Sequence, residues 1–395
     1  MMRRLPAAPP LWLLVLITVS GTLAMHMFVP ALPAAALSLG ASTAAMQATI
    51  SVYILGLAGG QLVYGPLSDG LGRRPMLLLG LGVYTAAGLA AALAPNLHAL
   101  VVARLFQALG GCAGLALGRA IVRDTAQAGE AVRELALLNL MMMIGPGLAP
   151  LLGSGLVSVL GWRAVFVLLA LLGGATLLLT WRLLPETGQP TGRFNLRALG
   201  ADYALLLRSP AFMGFAVGGG CATTSIYAFI AAAPFILVSE LHRPLHEVGF
   251  YLGALIVGMS AGNAITRHWS RTVRIERLLA AANGVSMVCA LVLWGVVASG
   301  GMAVWSLMGL VSLYALGAGA ASPAALSKAL AAAPRGVIGS AAGLYGCLQM
   351  GIGGVCTLAL GLAADPAWGM ACVLTAAMLI SQIAIRWALR HDQSA

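Results

Sequence analysis

Residues 65–75 read Gly65-Pro66-Leu67-Ser68-Asp69-Gly70-Leu71-Gly72-Arg73-Arg74-Pro75. Apolar blocks flank this charged turn, Gln47 to Leu67 before it and Pro75 to Ala94 after it. Each is long enough to cross a hydrocarbon layer of ~30 Å, which takes about 20 helical residues at a rise of 1.5 Å. So short a turn sets the two helices side by side and antiparallel, and its glycines permit the tight backbone that this requires.

The same arrangement recurs along the chain. Of 395 residues, 60% are hydrophobic and only 8% charged, against about a quarter charged in a soluble domain, and the mean hydropathy is +0.95. A soluble globular protein is excluded. Breaking the apolar blocks at Pro, Gly and charge clusters predicts twelve spans. Six precede the longest polar interval: Leu11 to Pro33, Gln47 to Leu67, Pro75 to Ala94, Leu97 to Ala120, Arg133 to Val157 and Ala164 to Leu184. Six follow it: Pro210 to Val238, Val248 to Thr266, Leu278 to Ala298, Ala303 to Leu326, Val337 to Ala364 and Trp368 to Leu389. The chain reads as an all-α polytopic membrane protein. Arg3 and Arg4 precede an apolar run too long for a signal peptide, so the first span is expected to be uncleaved.

Charge sets the expected orientation. The net charge is +11, and all 22 basic residues except Arg104, Arg163 and Arg243 fall in the loops or span ends of one face. By the positive-inside rule that basic face is cytoplasmic, both termini with it, and the net charge signals topology and not nucleic acid. Trp12, Trp162, Trp181, Trp269, Trp368 and Trp387 lie near span ends, where an amphipathic ring prefers to sit. The polar interval 185–209 reads as a cytoplasmic linker between an N-terminal half, 1–184, and a C-terminal half, 210–395. A weak echo supports the division: Gly65 to Arg74 has a counterpart in Gly262 to Arg271. Two six-span halves describe a rocking transporter with its site near the midplane. The six cysteines lie in apolar blocks without CxxC spacing and read as small packing residues, so neither disulfides nor a metal site are expected. His242 and His246, beside Glu240 and Glu247, read as a solvated loop.

Residues 65–75 resemble the G-x-L-S-D-R-x-G-R-R signature of the major facilitator superfamily, with Gly70 where an Arg is usual. The resemblance implies the major facilitator fold of about twelve helices in two halves, and a cytoplasmic gate of Asp69, Arg73, Arg74 and Asp124. In it Arg73 pairs with Asp124, and Asp69 faces a helix N-terminus around Gly336 to Ser340. Arg104 and Gln107, in Arg104-Leu105-Phe106-Gln107-Ala108-Leu109-Gly110-Gly111, resemble the family's R-x-x-Q-G motif. Gly118 to Asp124, Gly161 to Phe166 and Gly339 to Gln349 resemble the bicyclomycin/chloramphenicol-resistance (Bcr/CflA-type) exporters. Gly145 to Ser154 looks like the antiporter motif G-x-x-x-G-P-x-x-G-G, carried here by Gly145, Ala149, Pro150, Gly153 and Ser154.

In those exporters an acid often precedes a hydrophobic-Pro-Ala-Leu-Pro run. Here the run is Met25-His26-Met27-Phe28-Val29-Pro30-Ala31-Leu32-Pro33, and His26 takes the acid's place. No Asp or Glu lies deep in a predicted span. Arg104, ~10 Å below the outer end of its span, and His26 at similar depth are expected to meet, with Tyr53 and Gln107 close by. Beside Arg104, His26 would be neutral, and an anionic or acceptor-rich substrate would ease its protonation. Met27, Phe28, Asn139, Met141, Met142, Tyr227, Tyr251, Tyr314, Tyr345, Gln349 and Met350 are candidate pocket residues, adaptable enough for varied ligands.

There is no GxxxxGK[ST] loop and no nucleophile elbow, so no nucleotide-driven step, cofactor or enzymatic activity is expected. The resemblance implies a monomeric exporter of small lipophilic compounds, driven by protons, in a bacterial inner membrane. The residues leave import or facilitation of one metabolite open. Reporter fusions within 185–209 and after Ala395 are expected to report cytoplasm, and fusions near Gly300 the outside; a C-terminus outside contradicts the twelve-span topology.

Overall fold

The computed structural model describes residues 9–125, 147–188, 196–270, 272–334 and 337–392, and their regular elements are helices. They are α1 (Leu11–Leu39), α2 (Thr43–Leu71), α3 (Arg73–Ala92), α4 (Leu97–Thr125), α5 (Gly147–Leu160) and α6 (Trp162–Leu183). After a short α7 (Leu196–Leu207) come α8 (Pro210–Glu240), α9 (Leu245–Trp269) and α10 (Ile275–Ala298). The last are α11 (Val304–Ala331), α12 (Ile338–Leu360) and α13 (Pro366–His391). Eleven are long and apolar enough to cross a membrane, and α5 is a shorter apolar helix. The start of the expected fifth span, with Asn139, Met141, Met142 and Gly145, lies outside the described residues.

Helix ends follow local chemistry. The Ser42 hydroxyl accepts from the Ala45 N–H, Ser209 accepts from Phe212, and Asp365 accepts from Ala367 and Trp368. These caps satisfy orphan donors at the starts of α2, α8 and α13. The cap at Ser42 starts α2 four residues before the expected Gln47. Within the expected linker lies α7, which the polar flanks conceal. Its Leu206 is buried, and its Tyr203 hydroxyl donates to the Leu62 carbonyl of α2 at 3.1 Å. Its Asp202 accepts from the Ser340 hydroxyl of α12 at 2.8 Å. The linker helix thus grips both halves.

Two spans are broken. α1 tightens to a 3-10 turn at Val29–Ala31, where Pro30 removes a backbone donor, and α8 is interrupted at Ser225 and widened at Ile236–Glu240 after Pro234. Across the halves, α2 and α12 run antiparallel in steady register. Ala44 lies by Gly361, Leu55 by Gly354 and Gln61 by Gly346, whose carbonyl accepts from Gln61 Nε2 at 3.4 Å. From Ala44 to Gln61 is about 26 Å of helix, most of the hydrocarbon thickness. Away from the basic face, α5 packs on α9 through Ser154 and Pro150 against Gly249.

The α2–α3 turn is locked by charge. Gly72, at φ 103°, adopts a backbone that other residues rarely reach. Arg73, 8% exposed, pairs with Asp69 at 2.6 Å and with Asp124 of α4 at 3.1 Å, and also donates to Ser68. The Glu186 carboxylate accepts from the backbone N–H of Arg73 at 2.9 Å and of Arg74 at 3.1 Å, an anion set on the N-terminus of α3. Arg73→Asp leaves two carboxylates facing a third, so the thermal midpoint in detergent is expected to fall by several degrees, the mark of a broken part-buried pair. Adding Asp124→Arg is expected to restore part of the loss. A double variant no more stable than the worse single one contradicts the pairing.

Candidate functional site

Arg104 is fully buried in the N-terminal half. Its Nη1 donates to the Ala24 carbonyl of α1 at 3.0 Å and to Gln107 Oε1 at 2.8 Å. Its guanidinium carbon stands 3.9 Å from the centre of the Tyr53 ring, 5.3 Å from Phe28 and 5.7 Å from Phe166. Three ring faces thus offer the cation its electrostatic environment in place of a carboxylate. The Tyr53 hydroxyl is itself engaged, donating to the Gly21 carbonyl at 2.6 Å. This geometry needs α1 and α4 to touch, and they do so backbone to backbone where Gly21 meets Gly111. Three donors stay unused among the described residues: Arg104 Nε, Arg104 Nη2 and Gln107 Nε2.

The expected meeting of His26 with Arg104 is not among these contacts. Ala24 and His26 are two residues apart, which turns them about 200° around a helix. Arg104 therefore takes the Ala24 side of α1. His26, 6% exposed, instead presents its ring to the edge of Tyr227 from α8, with centroids 6.4 Å apart. This pair spans the junction of the two halves. Its ring nitrogens make no hydrogen bond among the described residues.

The C-terminal half brings a polar cluster of its own. Gln349 Nε2 donates to the Thr223 hydroxyl at 2.8 Å, and the Thr224 hydroxyl donates to the Gln349 carbonyl at 2.7 Å. Tyr345 is buried beside Gly219, and its hydroxyl has no partner among the described residues. Thr223 and Thr224 escape a search for aromatic and Met side chains, although their place in the Gly-rich run before Ser225 marks a helix that bends. Not every candidate lines this region. Tyr314 is tied by its hydroxyl to Ser225 at 2.6 Å inside the C-terminal core, and Tyr251 bonds Glu247 at 3.0 Å at the far end of α9. Phe28 and Met27 are buried, Phe28 against Phe166 and Met27 with its carbonyl against Gly153. Met350 is partly buried.

Of the gate residues, Asp69, Arg73 and Asp124 come together. Arg74 turns away, donating to the Trp181 carbonyl of α6 at 2.8 Å. Glu186, unmarked by the motif, completes the cluster; its signal in the sequence is an acid directly after the sixth span on the basic face. Ser340 bonds Asp202, and Gly336 lies outside the described residues. In the antiporter-like helix, Ala149 is fully buried, and Pro150, Gly153 and Ser154 set the contacts of α5 with α1 and α9.

Comparison with known proteins agrees with this architecture. The chain is 28% identical over 344 residues to the Multidrug transporter MdfA of Yersinia pestis bv. Antiqua, covering 86% of this chain and 84% of that one. With MdfA of Escherichia coli O6:H1 it is 30% identical over 304 residues, covering 75% and 74%. A bacterial homologue of the human lysosomal transporter Spinster, solved in an inward-facing and occupied conformation, superposes with a TM-score of 0.71 at 14% identity, covering 98% and 96%. The family model described as Major Facilitator Superfamily matches residues 14–358. With its spans, its basic turn and this match together, the chain is a multi-pass inner-membrane protein that belongs to the major facilitator superfamily of transporters.

Proposed function

We propose that the protein exports small lipophilic compounds by proton antiport, as a member of the Bcr/CflA-type drug exporters, acting as a monomer with both termini in the cytoplasm. The observation that carries this reading is the likeness to a multidrug transporter over 86% of the chain. Residues 1–184 and 210–395 act as the two rocking halves, joined through 185–209. The substrate sits where α1 and α8 meet, between His26 and Tyr227, with Gln349, Thr223 and Tyr345 on one side and the Arg104 node behind α1. A panel of toxic compounds, applied to a pump-deficient host with and without this chain, tests it: selective protection against apolar compounds supports export, and no protection against any contradicts it.

Arg104 supplies donors, so it favours ligands that carry acceptors. A charge-assisted hydrogen bond is worth roughly tenfold in affinity or more. Arg104→Ala is expected to weaken ligand binding by at least that factor at every pH. The measurement is affinity in detergent on material that keeps a cooperative thermal transition, and unchanged affinity removes Arg104 from the site.

His26 is the coupling group in this reading, because no carboxylate among the described residues lies deep in a span. A protonated imidazole in a pocket lined by aromatic rings holds water, which an apolar ligand must displace. With His26 set against Tyr227 and not beside Arg104, proton and ligand exclude one another, the reverse of the mutual easing expected from the sequence and the sign that antiport needs. Binding of a neutral lipophilic compound is expected to weaken as pH falls, and His26→Ala is expected to flatten that dependence. A pH profile unaltered by His26→Ala assigns His26 a structural role.

A further inference from the structure

Where the basic ends of α3 and α6 come together, a groove of about 680 Å³ opens on the outside of the N-terminal half. Arg74, Leu78, Trp181, Arg182 and Glu186 are among its walls. Its charges are not balanced from within. The Glu186 carboxylate is already taken up by the backbone N–H groups of Arg73, Arg74 and Gly188. Arg74 spends Nη2 on the Trp181 carbonyl, and its Nε is buried without a partner. Arg182 is exposed and forms no hydrogen bond or ion pair among the described residues. Two guanidinium groups therefore border one groove against a single carboxylate, Glu186, so its described walls carry one positive charge in excess.

The walls also say what kind of anion fits. Leu78 stands one helical turn from Arg74, deeper along α3, and lines the groove. On α6, Leu178 and Leu171 continue from Trp181 toward the membrane centre and are 48% and 66% exposed, while Trp181 is 56% exposed. An exposed leucine path in a membrane span faces acyl chains, and an exposed Trp at a span end marks the headgroup level. The groove thus offers cations at headgroup depth and an apolar track leading away from them. Basic pockets between helices on the positive side of a membrane protein are suited to anionic headgroups. We infer that the groove between α3 and α6, bordered by Arg74 and Arg182, binds the phosphate headgroup of an anionic phospholipid from the surrounding leaflet. Because Arg74 and Glu186 also hold the start of α3, the bound lipid bears directly on the turn that Arg73 locks.

The test uses the full chain in detergent, titrated with phosphatidylglycerol or with phosphatidylcholine of the same chains and read by native mass spectrometry. Phosphatidylglycerol is expected to bind more tightly. Arg182→Gln is expected to cost about fivefold, and Arg74→Gln with Arg182→Gln about twenty-fivefold, at one cation's worth each. Arg386→Gln, an exposed cation of α13 outside the groove, is expected to change nothing. If the double variant does not fold, Arg182→Gln alone carries the result, since that exposed side chain forms no hydrogen bond or ion pair among the described residues. Equal losses from Arg386→Gln and Arg182→Gln, no preference between the two lipids, or displacement of the lipid by millimolar glycerol 3-phosphate overturns the inference.

Discussion

A guanidinium at the depth of Arg104 costs roughly 2.5–3.5 kcal/mol on insertion scales unless protein groups replace its water. The N-terminal half is arranged around that cost. Rings from α1, α2 and α6 face the cation, a carbonyl of α1 and the Gln107 amide accept from it, and Tyr53 ties the same α1 segment through Gly21. One buried charge thus sets the spacing of four helices. The cost is only partly answered, since two of its nitrogens keep no partner among the described residues. In a transporter a donor held in that condition is where a ligand's acceptor gains most.

The two halves differ in how they treat polarity. The N-terminal half buries the Arg104 ion alongside neutral groups such as Ser20 and Tyr84, while the polar cluster of the C-terminal half is made of neutral hydroxyls and amides, with Ser225, Tyr314, Thr223, Thr224 and Gln349 bonded to one another or to backbone. At the basic face the two halves repeat one arrangement, a cation held between two carboxylates. Arg73 sits between Asp69 and Asp124 in the first half, and Lys328 of α11 sits between Glu276 and Asp392 in the second, at 2.9 and 2.6 Å. Both clusters tie neighbouring helix ends within their own half. Between the halves, Gly346, Gly354 and Gly361 of α12 give α2 a smooth track.

Much of this was legible in the residues. Length and hydropathy define the spans because a bilayer admits few alternatives to a helix. The i,i+3 spacing of Arg104 and Gln107 places them together, and the charges after the second span foretell the pair of Arg73 with Asp124. Direction around a helix is where depth alone fails. Height brings His26 level with Arg104, but the turn between Ala24 and His26 sends one to the rings of the N-terminal half and the other to Tyr227. Glu186 carries no motif, and Phe166 only closes the Gly161 to Phe166 stretch; the contacts of both become meaningful only when α6 is packed on α1 and α3. Helix α7 is hidden for a related reason, since its apolar residues acquire a face only against α2 and α12.

The central claim is that movement of a lipophilic compound in one direction is coupled to protons in the other without a carboxylate deep in a described span. Everted membrane vesicles that carry an established pH gradient, acid inside, test it most directly. On addition of a transported compound the account predicts proton efflux from the lumen, seen as partial collapse of the gradient, in vesicles with this chain and not in vesicles lacking it. Uptake of the compound with no change in the gradient, or uptake that persists at full rate once the gradient is abolished, would contradict the account.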